Sequence, residues 1–157
     1  MSGAGAPKFD LHDLGDVRVA IIASSWHDVV MDGLVANAIE TCQDAGVDVT
    51  VVRVPGSFEL GLAAMSAANA GFDAIVALGV IIRGGTPHFE FVANATTDAL
   101  NRVALDTGKP VGFGVLTCDD DAQAIDRAGL PHSSENKGRE AAEAALVMVK
   151  TMRSLGW

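Results

Sequence analysis

A chain of 157 residues is long enough for one hydrophobic core and too short for two full-sized domains, so residues 1–157 are read as a single domain. The formal net charge of −9 excludes a basic nucleic-acid groove, and any attraction for an anionic ligand has to be local. Apolar residues make up 49%, yet no segment reaches the ~20 apolar residues of a membrane span, so the surplus apolar surface predicts burial between subunits.

The amino terminus is small and Gly-rich, which predicts flexibility over residues 1–7, and it has no apolar core of signal-peptide length, so a cytoplasmic location is expected. Lys8 to Leu11 alternates polar and apolar residues as an N-terminal edge strand does. Val17 to Ala23 is the first buried strand, followed by Ser24-Ser25-Trp26-His27 and a helix with Val30, Leu34, Val35, Ala38 and Cys42 on one side, closed by Gly46. Val49 to Val54 is the second strand. The loop after it places Ser57 to cap a helix that runs to Gly71 and buries Phe58, Leu62 and Met65.

Ala74 to Ile82 is a continuous apolar run rich in Val and Ile, as expected of a strand buried on both faces. Its helix carries Phe89, Val92, Ala93, Thr96, Leu100 and Val103 at helical spacing. A fourth strand, Val111 to Leu116, a short helix from Asp120 to Ala128, a loop through Ser134 and an Ala-rich helix from Asn136 to Leu155 complete the chain. Alternating strands and helices with right-handed crossovers give a parallel sheet in a three-layer α/β/α sandwich, with ligands expected beyond the carboxyl ends of the strands.

The chemistry gathers at those ends. Arg83-Gly84-Gly85-Thr86-Pro87-His88 joins a strand to a helix: two glycines admit close backbone approach, Thr86 is placed to cap, and Pro87 stands at the first helical position. The free N–H groups and the helix dipole favour a phosphate or carboxylate, with Arg83 or another basic group completing the shell. The same dipole disfavours imidazolium, leaving His88 able to accept a proton; as an alternative, this is an ordinary turn with a surface histidine.

Trp26 offers a flat face to a planar heterocycle or fills a subunit contact. Glu59 accepts hydrogen bonds from a polyol or amine, or simply complements a helix dipole. Val80, Ile81 and Ile82 present main-chain groups to a ring, or are core. Together these residues describe a cleft for a planar ring with a polyol tail beside a small phosphorylated molecule.

Cys42 and Cys118 are expected to be reduced, and His12, His27, His88 and His132 show no zinc-site spacing, so no metal is expected. Gly112-Phe113-Gly114 lies within a strand and lacks the third glycine of a dinucleotide loop, Gly108-Lys109 has no phosphate loop before it, and Gly56-Ser57 is not part of a nucleophile elbow.

Over most of its length the sequence resembles the lumazine synthases. The likeness rests on Ser24-Ser25-Trp26-His27, Arg53-Val-Pro-Gly-Ser-Phe-Glu59, Ala77-Leu-Gly-Val-Ile-Ile-Arg-Gly-Gly-Thr-Pro-His-Phe-Glu90, Gly114-Val-Leu-Thr117, Asp126-Arg-Ala-Gly129 and Asn136-Lys-Gly138, of which the block ending at Glu90 is highly specific. The resemblance implies a four-stranded, flavodoxin-like sheet. It also implies cofactor-free condensation of 5-amino-6-ribitylaminouracil with 3,4-dihydroxy-2-butanone 4-phosphate to 6,7-dimethyl-8-ribityllumazine, phosphate and water.

By the same likeness, Trp26 stacks on the pyrimidine, Ser57, Phe58 and Glu59 line the ribityl chain, and Val80, Ile81 and Ile82 contact the ring. Gly84, Gly85, Thr86 and Arg127 hold phosphate, and His88 shuttles protons. The family site lies between subunits, so Phe113, Arg127 and Lys137 are expected from a neighbour, with Lys137 near the pyrimidine.

Gly61 stands where Pro is usual, Ser57 where Ala is common and His27 where Asn often follows the aromatic residue. The segment from Gly129 to Asn136 is longer than in shell-forming members and resembles that of members that stop at pentamers, which favours a homopentamer over an icosahedral assembly. The alternatives are a non-catalytic flavin or lumazine carrier, a shell protein in which catalysis is secondary, and an unrelated phosphosugar enzyme on a similar sheet.

Overall fold

The computed structural model describes Pro7 and residues 9–157. Four strands, β1 (Arg18–Ser24), β2 (Asp48–Val54), β3 (Ala74–Ile82) and β4 (Val111–Cys118), form one parallel sheet in the order β2-β1-β3-β4. The helices are α1 (Asp28–Asp44), α2 (Leu60–Asn69), α3 (His88–Thr107), α4 (Asp121–Asp126) and α5 (Lys137–Ser154). The strand bounds match the apolar runs of the sequence to within two residues.

Alternation along β1 builds both halves of the core. Val19, Ile21 and Ala23 face α1 and α5, where they meet Met31, Leu34, Ala142 and Leu146. Ala20 and Ile22 face the other way, toward Leu60, Ala64, Leu100 and Val103 of α2 and α3. The middle strand β3 is buried along its length, as a strand between two helical layers has to be. The edge strand β2 is mostly exposed, so the three-layer sandwich is open on that side.

Two readings of the sequence change. Phe58 and Leu62, expected in the core, are 63% and 77% exposed. A 3-10 turn over Ser57–Glu59 delays the α-helix to Leu60 and rotates its inner face onto Leu60, Gly61, Ala64, Ala67 and Ala68. The glycine in place of proline at 61 fits this face, because a Cβ there would lie 2.6 Å from the Cβ of Ala99 on α3.

Phe9, Asp10 and Leu11 form no strand; Lys8 and, apart from Pro7, the segment read as flexible lie outside the described residues. Instead, Lys150 of α5 donates to the carbonyls of Asp10 and His12 at 2.9 and 3.0 Å, which ties the segment to a helix end.

Candidate active site

Trp26, Phe58 and the Gly84 to His88 turn line one cleft of about 420 Å³ at the carboxyl ends of the strands. Trp26 leaves β1 and is 68% exposed, lying against Gly56, where a Cβ would be 3.8 Å from its Cδ1. The next residue, His27, starts α1 in a left-handed conformation at φ 61° and ψ 64°, a backbone state uncommon for a residue with a side chain. Its Nδ1 is 3.6 Å from Asp121 Oδ1.

The loop after β2 is set by Glu59, whose Oε2 accepts from the Gly56 N–H at 2.9 Å. Ser57 does not cap the following helix. Its hydroxyl is buried over Gly79 with no hydrogen-bond partner among the described residues, and its carbonyl accepts from Thr96 Oγ1 at 3.1 Å. Glu59 borders a neighbouring groove between β2 and α2 rather than this cleft.

At the floor, β3 runs past the end of β1. Pairing with β1 stops at Leu78, whereas pairing with β4 continues to Ile82. Main-chain groups of alternate residues point to opposite sides, and Ile75 and Arg83 both donate toward the β4 side, to Pro110 and Cys118. By that parity Ile81 also points to β4, while Val80 and Ile82 turn their N–H and C=O groups toward the cleft. A ring placed beside Trp26 meets a strand edge with hydrogen-bonding groups already aligned.

The turn after β3 is open. A Cβ on Gly84 or Gly85 would meet nothing within 4 Å, so packing within the chain does not require glycine at either position, and a ligand or neighbour can approach the main chain. Pro87 falls at the cap of α3 and His88 opens the helix; the Thr86 hydroxyl accepts weakly from the His88 N–H, at 3.5 Å. Gly84, Thr86 and His88 line the cleft, with Gly85 between them on the turn.

Arg83 faces elsewhere: its guanidinium donates to Glu90 and, at 2.9 Å, to Asp119, and stacks on Phe89 at 4.2 Å from the ring centre. It clamps the ends of β3 and β4 to the first turn of α3. Hydrogen bonds from Arg83 hold the carboxyls of both Glu90 and Asp119 below the ordinary carboxylate range. Groups depressed by folding contribute stability above their unfolded pKa and lose it as pH falls through the folded value. Arg83→Gln is therefore expected to lower the thermal midpoint at pH 7 and to converge on the parent as both carboxyls protonate; midpoints measured from pH 7 to pH 3 check this.

Phe113, Arg127 and Lys137 are not in this cleft. They line a second one of about 570 Å³ along the free edge of β4, between that strand and α5. Arg127 ends α4, donating to the Gln123 carbonyl at 2.9 Å, and its own carbonyl accepts from the Lys137 N–H at 3.0 Å. Asn136 caps α5 through a bond from the Arg139 N–H at 3.0 Å and donates to Asn37 of α1 at 2.6 Å. Burial acts to lower the Lys137 pKa, but hydrogen bonds to Glu135 and Glu140 outweigh it and raise the value above the usual lysine range.

One feature was missed by sequence reasoning. Glu135 lies between the two cations, with Oε2 2.5 Å from Lys137 Nζ and Oε1 3.8 Å from Arg127 Nη2. Its spacing from Arg127 carries no motif.

The chain therefore presents two separate clefts: one with Trp26 and the glycine turn but no lysine or arginine in its lining among the described residues, and one with a pair of cations beside an exposed phenylalanine. Comparison with known proteins identifies the family. The model of the 6,7-dimethyl-8-ribityllumazine synthase family matches residues 16–153. A protein of that name from Streptomyces coelicolor is 56% identical over 156 residues, covering 99% of this chain and 97% of its own. Another, from Leifsonia xyli subsp. xyli, is 59% identical, covering 99% of both chains. With a family match over nearly its whole length and relatives this similar, the chain belongs to the 6,7-dimethyl-8-ribityllumazine synthase family.

Proposed function

We propose that this protein acts in riboflavin biosynthesis, condensing 5-amino-6-ribitylaminouracil with 3,4-dihydroxy-2-butanone 4-phosphate to 6,7-dimethyl-8-ribityllumazine, with release of phosphate and water. The observation that carries the reading is the cleft in which Trp26, the unpaired end of β3 and the Gly84 to Thr86 turn stand together. Trp26 stacks on the pyrimidine, and Val80, Ile81 and Ile82 border the ring, Val80 and Ile82 through main-chain groups. Ser57 and Phe58 follow the ribityl chain, and Glu59, in the adjoining groove between β2 and α2, takes its far end. Gly84, Gly85 and Thr86 hold the phosphate at the start of α3, beside His88 as proton shuttle.

The chemistry needs two substrates held in register. An amine attacks the ketone, an imine forms, phosphate leaves after proton loss from the neighbouring carbon, and the second amine closes the ring. Orientation of this kind is worth up to about 7–11 kcal/mol.

An anion turn without its own cation is completed by a neighbouring copy supplying Arg127, Phe113 and Lys137. Exposed Phe91, Leu105, Val51, Val52 and Leu62 give that copy apolar surface to cover. The protein is a homopentamer of single-domain subunits acting in the cytoplasm, with sites between subunits. Among the described residues, no helix is long and apolar enough to cross a membrane.

Mixing the protein with both substrates and following lumazine optically tests the reaction. Acceleration over the uncatalysed rate supports it, and binding of lumazine without acceleration moves the reading to a carrier. Solution mass is expected at five chains; a large hollow particle overturns the pentamer.

A further inference from the structure

Glu135 joins the two cations of the second cleft and is itself largely covered by the protein. Its side chain is 15% exposed, and that of Lys137 is 16%. A carboxylate partly withdrawn from water is screened less than a fully exposed surface charge, so its pairing with Lys137 counts for more than a surface ion pair. The backbone around it is fixed as well. Its N–H donates to the Asp126 carbonyl at 3.0 Å and its carbonyl accepts from the Gly129 N–H at 3.1 Å, while Ala128 and Asn136 form an antiparallel bridge. This pinch closes the 129–136 loop at its base and brings residues 127 and 137 side by side.

We propose that Glu135 is a positioning residue, whose carboxylate fixes the Arg127 guanidinium and the Lys137 ammonium relative to each other so that both enter the neighbouring subunit's cleft in one arrangement. This rests on the lumazine synthase reading of the site. Lys137 also pairs with Glu140 at 2.8 Å, so loss of Glu135 removes one of the carboxylates that fix the ammonium. Arg127 keeps its bond to the Gln123 carbonyl and loses its carboxylate neighbour. Each cation then samples several positions, and binding of the butanone phosphate and of the pyrimidine weakens together.

The test is a double-mutant cycle in the assembled protein, with KM measured for each substrate and thermal unfolding measured in parallel. Glu135→Gln is expected to raise KM for both substrates about tenfold, with Glu135→Asp, which keeps the charge one methylene shorter, intermediate. In an Arg127→Ala background the Gln substitution leaves KM for the butanone phosphate unchanged, and in a Lys137→Ala background it leaves KM for the pyrimidine unchanged. If Glu135→Gln fails to fold, the same cycle is run with Glu135→Asp, with the same expectation of lost effect in each background. Additive penalties in both backgrounds, a lowered thermal midpoint with unchanged KM, or tighter binding of the butanone phosphate each overturn the proposal. A parent protein that forms no lumazine overturns the functional reading and this inference with it; an active parent with additive penalties overturns only the inference.

Discussion

Arg127→Ala is expected to lower kcat/KM for lumazine formation by about 10³-fold, the upper range for removing one hydrogen-bond donor from a developing oxyanion. His88→Ala is expected to have a smaller effect, about 10²-fold, at the low end for a single acid–base group. His88 is exposed on the first turn of α3, where water can take its place in moving a proton. Water cannot replace a guanidinium. The Gly84 to Thr86 turn offers N–H groups but faces no cation of its own chain among the described residues, Arg83 being held by Glu90 and Asp119. If Arg127 of a neighbouring copy holds the phosphate, as proposed, its loss removes both the neutralisation of the leaving group and the orientation of its substrate. Steady-state kinetics of the two variants, with the parent's assembly state verified in each, decide the order; a larger loss from His88→Ala refutes it.

The second large effect is on stability. In an isolated helix, Gly138→Ala stabilises by about 1 kcal/mol. In the first turn of α5 the sign reverses. A Cβ at 138 would stand well inside 3.0 Å of the Leu34 carbonyl oxygen and close to the Leu34 Cα, so main chain rather than a flexible side chain would have to move. Overpacking of this kind costs about 1–3 kcal/mol or more, which outweighs the propensity gain. Displacing the start of α5 from α1 also strains the bond from Asn136 to Asn37 and shifts Lys137, the next residue along. Gly138→Ala is thus expected to lower the unfolding free energy by about 2 kcal/mol net and to raise KM for the pyrimidine. Chemical denaturation and kinetics on one preparation check both; an unchanged or raised midpoint shows that α5 can move away from α1 without penalty.

Local pattern determined much of this protein. The apolar runs marked four strands, Ala74 to Ile82 to the residue, because burial on both faces leaves a composition signal needing no knowledge of neighbours. Asn136 and Asp120 marked helix starts, because a cap acts on N–H groups two or three residues away. The Gly84 to His88 turn was legible for the same reason: strand, glycines and helix start are adjacent in the chain.

What was not legible depended on partners far away in sequence. Phe58 and Leu62 were assigned to the core because helical spacing gives a period but not its phase, and the phase was set by a 3-10 turn and by the approach of Gly61 to Ala99. Arg83 was placed near an anion by its position beside the glycines, but Asp119, 36 residues away, and Glu90 took its guanidinium. The division of the site residues between two clefts followed from strand order, which sets β4 at the far edge of the sheet from β2. Glu135 gained its two cations only when the chain returned after α4 to bridge Ala128 to Asn136. Periodicity and capping act over a few residues and are written into the sequence. The facing of a charged side chain is the outcome of competition among groups brought together from distant parts of the chain, and only the tertiary structure decides it.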